Sequence, residues 1–425
     1  MSKPALELAE VVRRFGSALL DAYGASLSRV QKTVLRALAL CRTSALGGHL
    51  ERCDNPECSF QRPAYNSCRN RHCPKCQSLA KARWIAARQQ QLLPVVYFHV
   101  VFTLPEAIAL LALQNKAVIY NLLFQTTAAT LRSIAADPKH LGAEIGFFAI
   151  LHTWGQQLVH HPHLHCVVPG GGLSPDGQRW IACRRSQKSG KHFFLPVEVL
   201  SARFRHLFRD ALLEAFQQGN RSGCQGQLSF FGDLGGLSDP QTFRRWLHAA
   251  CGQRWVVYAK RPFGGPAQVI DYLGHYTHKV AISNHRLLKL EDGRVWFRWK
   301  DYRHGGVEKI LSLEAIEFLR RFFLHVLPSG FVRIRYFGFL ANCHLEEKIA
   351  TCRRLLDVAP ATLLLPKPPV DWKTLFHQLT GKLVDLCPLC QKGRLIRVEM
   401  PCPVLTSNRS PPAQPLAPAP AVHTS

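Results

Sequence analysis

The placement of cysteine constrains this chain more than any other feature of its sequence. Five of its 15 cysteines fall between positions 53 and 76, a crowding that a disulfide framework does not require. Thiolate pairs at short spacing suit a structural zinc ion, which takes four sulfur or nitrogen ligands in a tetrahedron. We predict one such ion, with its ligands drawn from Cys53, Cys58, Cys73 and Cys76, and with Cys68, His72 and His49 as alternatives. Seven candidate ligands are also enough for two ions.

A further CxxC pair, Cys387 and Cys390, lies near the C-terminus without an obvious second pair. It forms either half of a second zinc ribbon or a plain turn. The residues available to complete a site are Cys343, His344, Cys352 and Cys402. An odd number of cysteines in a chain of this size favours metal binding and buried thiols over disulfides, which is typical of the cytoplasm.

The chain carries a large excess of positive charge. It has 54 Lys and Arg against 28 Asp and Glu, which gives a formal net charge of +26 and a pI near 9.9. Such an excess attracts polyanions, so a nucleic-acid partner is expected, although any single basic run is more often a solvated face. The residues predicted to contact DNA are Arg69, Arg71, Lys75, Lys279 and Arg286.

Hydrophobic periodicity gives the outline of the fold. Apolar residues recur at helical spacing over residues 5–42, and residues 95–104 and 145–153 are typical of buried strands. Pro105 opens a helical segment that reaches about residue 136. We divide the chain into a helical lead-in with a zinc-binding domain (1–92), a central domain (93–345), a C-terminal region (346–400) and a disordered proline-rich tail (401–425). Neither a signal peptide nor a membrane span is recognised, so a cytoplasmic protein is expected.

Two histidines are predicted to share one face of a strand. His163 and His165 are two residues apart, so their imidazoles project together while Leu164 enters the core. Antiparallel pairing with residues 145–153 through a loop near Leu158 would set His152 opposite His163. His152 is therefore the candidate third ligand of a divalent metal, with Gln156 and His275 as alternatives.

Two tyrosines four residues apart follow a helix-start signal of glycines and Pro266. Tyr272 and Tyr276 would lie on one face of that helix, at the edge of its apolar stripe. Alone, they are more simply read as tyrosines at the edge of a core. A later aromatic and basic run, residues 294–303, is either an alternating strand or a surface on which bases stack.

The order of these motifs resembles the rolling-circle transposases of the insertion sequence ninety-one family, which are two-tyrosine HUH transposases. The resemblance spans about residues 47–390. It rests on the cysteine-rich segment, on His161-Pro162-His163-Leu164-His165, on Gly170-Gly171-Gly172-Leu173, on the run from Tyr272 to Asn284, and on the Arg- and Phe-rich segment that ends at Arg335.

The resemblance implies an α+β fold, with an antiparallel HUH-type sheet and flanking helices in residues 93–345 as the catalytic domain, preceded by the zinc module. His163 and His165 would bind Mg²⁺ or Mn²⁺, while Tyr272 and Tyr276 would attack DNA and form 5′-phosphotyrosine links. The expected partners are single-stranded or hairpin DNA at transposon ends and the target DNA. A bacterial cytoplasmic protein, bound to the nucleoid when on DNA, is expected.

Two alternatives share some of these features. A replication initiator or relaxase uses the same metal and tyrosine chemistry, but it does not need the zinc segment. A non-enzymatic zinc-dependent DNA-binding protein would keep the basic surface and form no covalent adduct with DNA.

Overall fold

The structure, a computed structural model, describes residues 6–184, 194–222, 228–259, 268–269, 281–358, 371, 373–374, 376–377, 381 and 383–399. Its contacts divide the chain into two compact units. The larger comprises residues 1–41 and 67–384, and the smaller comprises residues 42–66 and 385–425. The sequence-based boundaries at residues 92, 345 and 400 do not follow this division, and they stay predictions about functional domains.

The helices of the described residues are α1 (Leu8–Tyr23), α2 (Arg29–Leu40), α3 (Ser78–Gln89), α4 (Glu106–Gln114), α5 (Lys116–Ala136), α6 (Val197–Ser222), α7 (Pro240–Gly252), α8 (Ala315–Leu324) and α9 (Leu345–Leu355). The strands are β1 (Gly48–Cys53), β2 (Gln61–Tyr65), β3 (Tyr97–Thr103), β4 (Phe147–Trp154), β5 (His160–Pro169), β6 (Gly171–Leu173), β7 (Trp180–Ala182), β8 (Val257–Ala259), β9 (Leu287–Glu291), β10 (Arg294–Asp301), β11 (Val307–Glu314), β12 (Ile334–Phe337) and β13 (Leu395–Glu399).

An antiparallel five-stranded sheet lies at the centre of the larger unit, in the order β12-β4-β5-β3-β8. Alternate residues of its strands enter a large apolar core that the helices α4 to α7 complete, as Leu151, Leu164 and Phe102 illustrate. Helices on an antiparallel sheet make this an α+β fold. The predicted fold class is therefore confirmed.

The larger unit contains a second core. Apolar residues of α1, α2 and α8 pack with the three-stranded sheet β11-β10-β9. The Ser28 side chain begins α2, because its hydroxyl accepts from the Gln31 backbone while the Gln31 side chain accepts from the Ser28 backbone. Helices over residues 5–42, predicted from periodicity, are thereby confirmed.

The smaller unit contains the three-stranded antiparallel sheet β13-β1-β2. The central strand is β1, which pairs with β2 from the same part of the chain and with β13 from more than three hundred residues later. Sequence reading placed β1 and β13 in separate domains.

The other element predictions are largely confirmed. Strands β3 and β4 lie where the apolar runs indicated, and the helical segment after Pro105 is broken once, at Asn115, between α4 and α5. The predicted tyrosine helix and the predicted disordered tail lie outside the described residues. Within the described part of the chain, no helix combines the length and the apolar character that crossing a membrane requires.

Candidate active site and metal centres

A cluster of three histidines lies on two neighbouring strands of the central sheet. The register pairs His152 of β4 with His163 of β5, as the hairpin prediction required, and Leu158 occupies the left-handed conformation in the connecting loop. One ring nitrogen each of His152, His163 and His165 lies within 4.8 Å of the others. All three side chains are buried. The sheet thus brings together the three histidines that the sequence pattern had grouped.

Hydrogen bonds orient two of these rings. His163 Nδ1 lies 2.6 Å from the carbonyl oxygen of His161, and since a carbonyl only accepts, this nitrogen carries the proton and Nε2 keeps its lone pair. His165 Nδ1 lies 2.7 Å from His99 Nε2 on β3, and the two rings are stacked. When His165 donates this bond, its Nε2 is also left with a lone pair.

The donor set fits a divalent metal ion. Burial lowers the pKa of His163 to about 4, helped by the nearby His161, so this imidazole is neutral at pH 7. Neutral imidazoles bind metals, and a hydrogen bond from the second ring nitrogen is the usual way in which a ligating histidine is held. His152, His163 and His165 would supply three ligands to such an ion and would leave further coordination positions for other groups.

Beside this cluster lies a cavity of about 360 Å³. His152 forms part of its wall, together with the aromatic rings of Trp154, Trp299 and Tyr302, the exposed cations of Arg298 and Lys300, and Glu308, whose carboxylate pairs with Arg298 at 3.5 Å. Strand β10 provides Arg298, Trp299 and Lys300, while Phe297 of the same strand faces the core. The aromatic and basic run is therefore a strand that also contributes to a cavity wall, and the stacking of bases on it stays a prediction.

Several residues predicted to contact DNA have roles within the fold. The Arg71 guanidinium donates to the carbonyl oxygens of Phe331 and Pro328 at 2.6 and 2.8 Å. Arg286, whose pKa burial lowers to about 10, donates to the carbonyl oxygens of Arg298 and Gln156.

Lys75 Nζ forms an ion pair with Glu7 at 2.6 Å. Lys279 lies outside the described residues. DNA contacts by Arg69, Arg71, Lys75, Lys279 and Arg286 stay predictions.

Four cysteines of the larger unit form one compact cluster: Cys41, Cys68, Cys73 and Cys76. Their sulfur atoms lie within 4.8 Å of one another, with Cys41 Sγ 3.8 Å from Cys73 Sγ and 3.4 Å from Cys76 Sγ. A tetrahedral zinc with sulfur ligands at about 2.3 Å separates its sulfur atoms by about 3.8 Å, so this donor set fits zinc.

Four cysteines of the smaller unit form a second cluster: Cys53, Cys58, Cys387 and Cys390. The predicted ligands Cys53, Cys58, Cys73 and Cys76 are therefore divided between two clusters, as the alternative of two ions allowed. The β1–β2 hairpin brings Cys53 and Cys58 to the C-terminal pair, whereas Cys73 and Cys76 pack where α2 ends at Cys41. The sequence-based grouping relied on cysteines that are close in sequence, whereas the clusters are formed by cysteines that the tertiary structure brings together.

The alternative ligands fall outside these clusters, except for Cys68. His72 Nδ1 contacts Asn70 Oδ1, and its Nε2 accepts from the backbone N–H of Leu327. His49 Nε2 lies 3.8 Å from Glu51 Oε1. Of the alternative third ligands for the histidine site, Gln156 accepts from the backbone of Lys300, and His275 lies outside the described residues.

Sequence reasoning missed two residues of these sites, Cys41 and His99. His99 had a detectable signal, since it is the one imidazole in the apolar run of residues 95–104. Cys41 lies ahead of the cysteine-rich segment and had none. The predicted nucleophiles Tyr272 and Tyr276 lie outside the described residues.

Comparison with known proteins identifies the family. Residues 11–104 match the family model described as "Transposase zinc-binding domain", and residues 146–348 match the one described as "Putative transposase". The first match contains the cluster around Cys41, and the second contains the histidine cluster.

Two relatives match over most of their length. The chain is 54% identical over 400 residues to "Putative transposase y4qJ" of Sinorhizobium fredii (strain NBRC 101917 / NGR234), covering 94% of this chain and 96% of that protein. It is 32% identical over 364 residues to "Transposase for insertion sequence element IS801" of Pseudomonas savastanoi pv. phaseolicola, covering 84% of this chain and 81% of that protein. The chain therefore belongs to the insertion sequence ninety-one family of transposases.

Proposed function

We propose that this transposase cuts and rejoins single-stranded DNA at the ends of its insertion sequence through 5′-phosphotyrosine intermediates, as in rolling-circle transposition. The observation that carries the proposal is the cluster of His152, His163 and His165 on two rigid strands beside a basic and aromatic cavity. A buried set of nitrogen ligands that opens onto a cavity is typical of a catalytic metal site.

Tyrosine is the proposed nucleophile. The phenolic oxygen of Tyr272 or Tyr276 attacks the scissile phosphorus and loses its proton, the bond from phosphorus to the 3′ oxygen breaks, and that oxygen leaves as a 3′-hydroxyl. The 5′ end stays on the protein as a phosphotyrosine, which keeps the energy of the broken bond. The 3′-hydroxyl of another strand can then attack this phosphorus and release the tyrosine, so joining needs no ATP.

The histidines have a positioning role. A divalent ion, when bound, would polarise the scissile phosphate and stabilise the charge that develops on its non-bridging oxygens. His163 and His165 are held by His161 and His99, so their rings do not need to reorganise on binding. An all-nitrogen ligand set favours Mn²⁺ over the harder Mg²⁺, which prefers oxygen ligands.

The cavity supports a single-stranded substrate. Bases that are not paired expose their faces, and Trp154, Trp299 and Tyr302 offer rings on which such bases can stack. Arg298 and Lys300 on the same wall attract the phosphates. A duplex hides the base faces, so unpaired or hairpin DNA is the expected substrate.

Two tyrosines allow two linked cuts. One would hold the transposon end while the other opens the target, and strand exchange would then join the two DNA molecules. An initiator or relaxase would use similar chemistry, but the transposase relatives favour transfer of the cut end to a new site. The protein would act on DNA in the bacterial cytoplasm.

The test is a denaturing gel. Purified protein is incubated with end-labelled single-stranded oligonucleotides from the element's termini in Mn²⁺ or Mg²⁺, beside Tyr272→Phe, Tyr276→Phe and the double variant. A slow-migrating adduct that needs metal and disappears in the double variant is expected. Tight binding without an adduct under either metal would overturn the proposal and favour a zinc-dependent DNA-binding protein.

A further inference from the structure

The second cysteine cluster draws its ligands from opposite ends of the chain. Cys53 and Cys58 flank the turn between β1 and β2, and Cys387 and Cys390 precede β13 by a few residues. Cys53 Sγ lies 3.6 Å from Cys390 Sγ, and Cys58 Sγ lies 3.7 Å from Cys387 Sγ. These separations exceed a disulfide bond of about 2.05 Å by far, and they match the roughly 3.8 Å expected between sulfur ligands of one tetrahedral zinc.

The turn around Cys390 has the backbone arrangement of a metal-binding knuckle. The Gly393 N–H donates to Cys390 Sγ at 3.3 Å, and the Cys387 N–H donates to the Gly393 carbonyl oxygen at 2.8 Å. N–H donors aimed at sulfur stabilise the thiolate form, which is the form that binds metal. A Cβ at Gly393 would collide with Cys53 Sγ, so the C-terminal turn is fitted to the N-terminal cysteine.

Backbone pairing supports the same junction. Asp54 and Arg394 exchange hydrogen bonds, since the Asp54 N–H donates to the Arg394 carbonyl at 2.9 Å and the Arg394 N–H donates to Asp54 Oδ1 at 2.6 Å. Strand β13 then continues along β1 over five paired positions, from Cys53–Leu395 to His49–Glu399. The junction is polar and small, with little apolar burial of its own, so strand pairing alone gives it limited stability.

We propose that Cys53, Cys58, Cys387 and Cys390 bind a second structural zinc ion, which fastens the C-terminal segment 385–399 to the N-terminal hairpin 48–65. This site is distinct from the cluster around Cys41, and the small unit is complete only after β13, which ends at Glu399, has been synthesised. A chain that stops before residue 385 keeps two of the four ligands and lacks β13.

Zinc stoichiometry tests the site directly. Zinc per chain is measured on the full-length protein by elemental analysis, beside Cys387→Ser/Cys390→Ser and the control Cys343→Ser, an exposed cysteine outside both clusters. The double variant should bind one zinc fewer than wild type, and the control should match wild type. With Co²⁺ in place of zinc, the sulfur-to-cobalt absorption should fall by about half in the double variant. Equal zinc content in the double variant and wild type would overturn the proposal.

A second experiment keeps all four wild-type cysteines and cuts the chain between the two pairs. It tests whether zinc holds the C-terminal segment in place even if the cysteine variant folds poorly. A protease recognition sequence is inserted after Gly381, an exposed residue whose surroundings leave room for it. After cutting, the C-terminal fragment should remain bound to the body during gel filtration and should dissociate when a zinc chelator is added. Dissociation without a chelator, or retention in its presence, would contradict a metal-held junction.

Discussion

The cysteine clusters and the histidine cluster differ in how many ligands they offer. Each cysteine cluster supplies four sulfur atoms, enough to fill the coordination of a zinc ion. The histidine cluster supplies three nitrogens and adjoins a cavity. A filled site can only hold structure, whereas an incomplete one can bind a substrate atom. Ligand number therefore separates the two cysteine clusters, which fit structural zinc, from the histidine cluster, which fits the metal of the proposed chemistry.

The two kinds of site also differ in their support. The histidines lie on adjacent strands of the central sheet, whose pairing fixes them without any metal. Cys41, Cys68, Cys73 and Cys76 lie at a helix end and in turns. Turns lack the strand pairing that holds the histidines, so a metal ion that joins the four sulfur atoms contributes more to their arrangement. The histidine site should therefore survive removal of its metal, while the cysteine sites should not.

The largest effect is expected from Cys41→Ser/Cys76→Ser. Zinc binding at structural sites is worth about 10–16 kcal/mol in small zinc peptides, so loss of two ligands should unfold the surrounding segment. Limited proteolysis should cut the variant rapidly within residues 42–92, whereas Cys343→Ser should resist like wild type. Unchanged protease resistance would mean that this cysteine cluster does not hold the segment in its fold.

The next largest effect is expected from His165→Ala. Cleavage of terminal oligonucleotides should fall about 10³-fold or more, since the charge stabilisation at the phosphate is lost. Thermal unfolding and DNA binding should stay close to those of wild type, because β5 keeps its pairing. His206→Ala, at an exposed helix position, is the matched control. Loss of folding in His165→Ala would mean that the histidine site is structural after all.

A smaller effect is expected from His99→Leu. His99 contacts His165 and does not line the cavity, so its loss should loosen the ligand and raise the Mn²⁺ concentration for half-maximal cleavage by about 10–100-fold. Saturating Mn²⁺ should restore most of the rate. A fall in rate that Mn²⁺ does not restore would place His99 elsewhere in the mechanism.

Trp299→Ala tests whether the cavity beside the histidine cluster binds single-stranded DNA. Stacking of a base on an aromatic ring is worth about 1–3 kcal/mol, so affinity for single-stranded DNA should fall by roughly 5- to 150-fold. Trp296 is the control on the same strand, because its ring packs near Lys289 and does not line the cavity. Fluorescence anisotropy with a labelled oligonucleotide measures both. Equal losses of affinity in Trp296→Ala and Trp299→Ala would mean that the cavity is not where single-stranded DNA binds.

The smallest effect concerns His325, a buried histidine outside the ligand set. Its Nε2–H donates to the Leu158 carbonyl, and burial lowers its pKa to about 3. Below pH 6.5 the unfolded chain takes up a proton that the folded chain does not, so stability falls as pH falls from about 6.5 toward 3.

His325→Gln keeps a donor and removes this titration. Between pH 6.5 and 5.5 the wild type should lose about 1 kcal/mol more unfolding free energy than the variant. Urea unfolding at the two pH values checks this. Equal losses in both proteins would mean that His325 does not stay neutral in the fold.

Local sequence patterns were sufficient to predict much of the fold and the grouping of the three histidines. The two-residue period of His163 and His165 and the short loop at Leu158 determine which residues face one another, so His152 could be placed from sequence. The apolar run of residues 95–104 located β3, although the pattern did not reveal that His99 would contact His165.

Contacts between residues far apart in the chain could not be predicted from the sequence. Nothing local connects Cys53 with Cys390, because their contact depends on β13 pairing with β1. The same holds for Arg71 and Arg286, which looked like a charged surface but donate to carbonyl groups of distant segments. The sequence shows which side chains could bind a metal or DNA, but only the packed structure shows which of them lie in contact.

The most direct experiment asks whether the histidine cluster binds the metal that cleavage requires. It measures adduct formation as a function of Mn²⁺ concentration in protein that retains its zinc. The protein is passed over a mild resin that removes Mg²⁺ and Mn²⁺ while elemental analysis confirms its zinc, and terminal single-stranded DNA is then added with increasing Mn²⁺. We expect no covalent adduct without Mn²⁺, saturable formation with it, and none at any Mn²⁺ concentration for His163→Ala/His165→Ala. An adduct that forms with zinc alone, or that persists in the double histidine variant, would contradict this expectation.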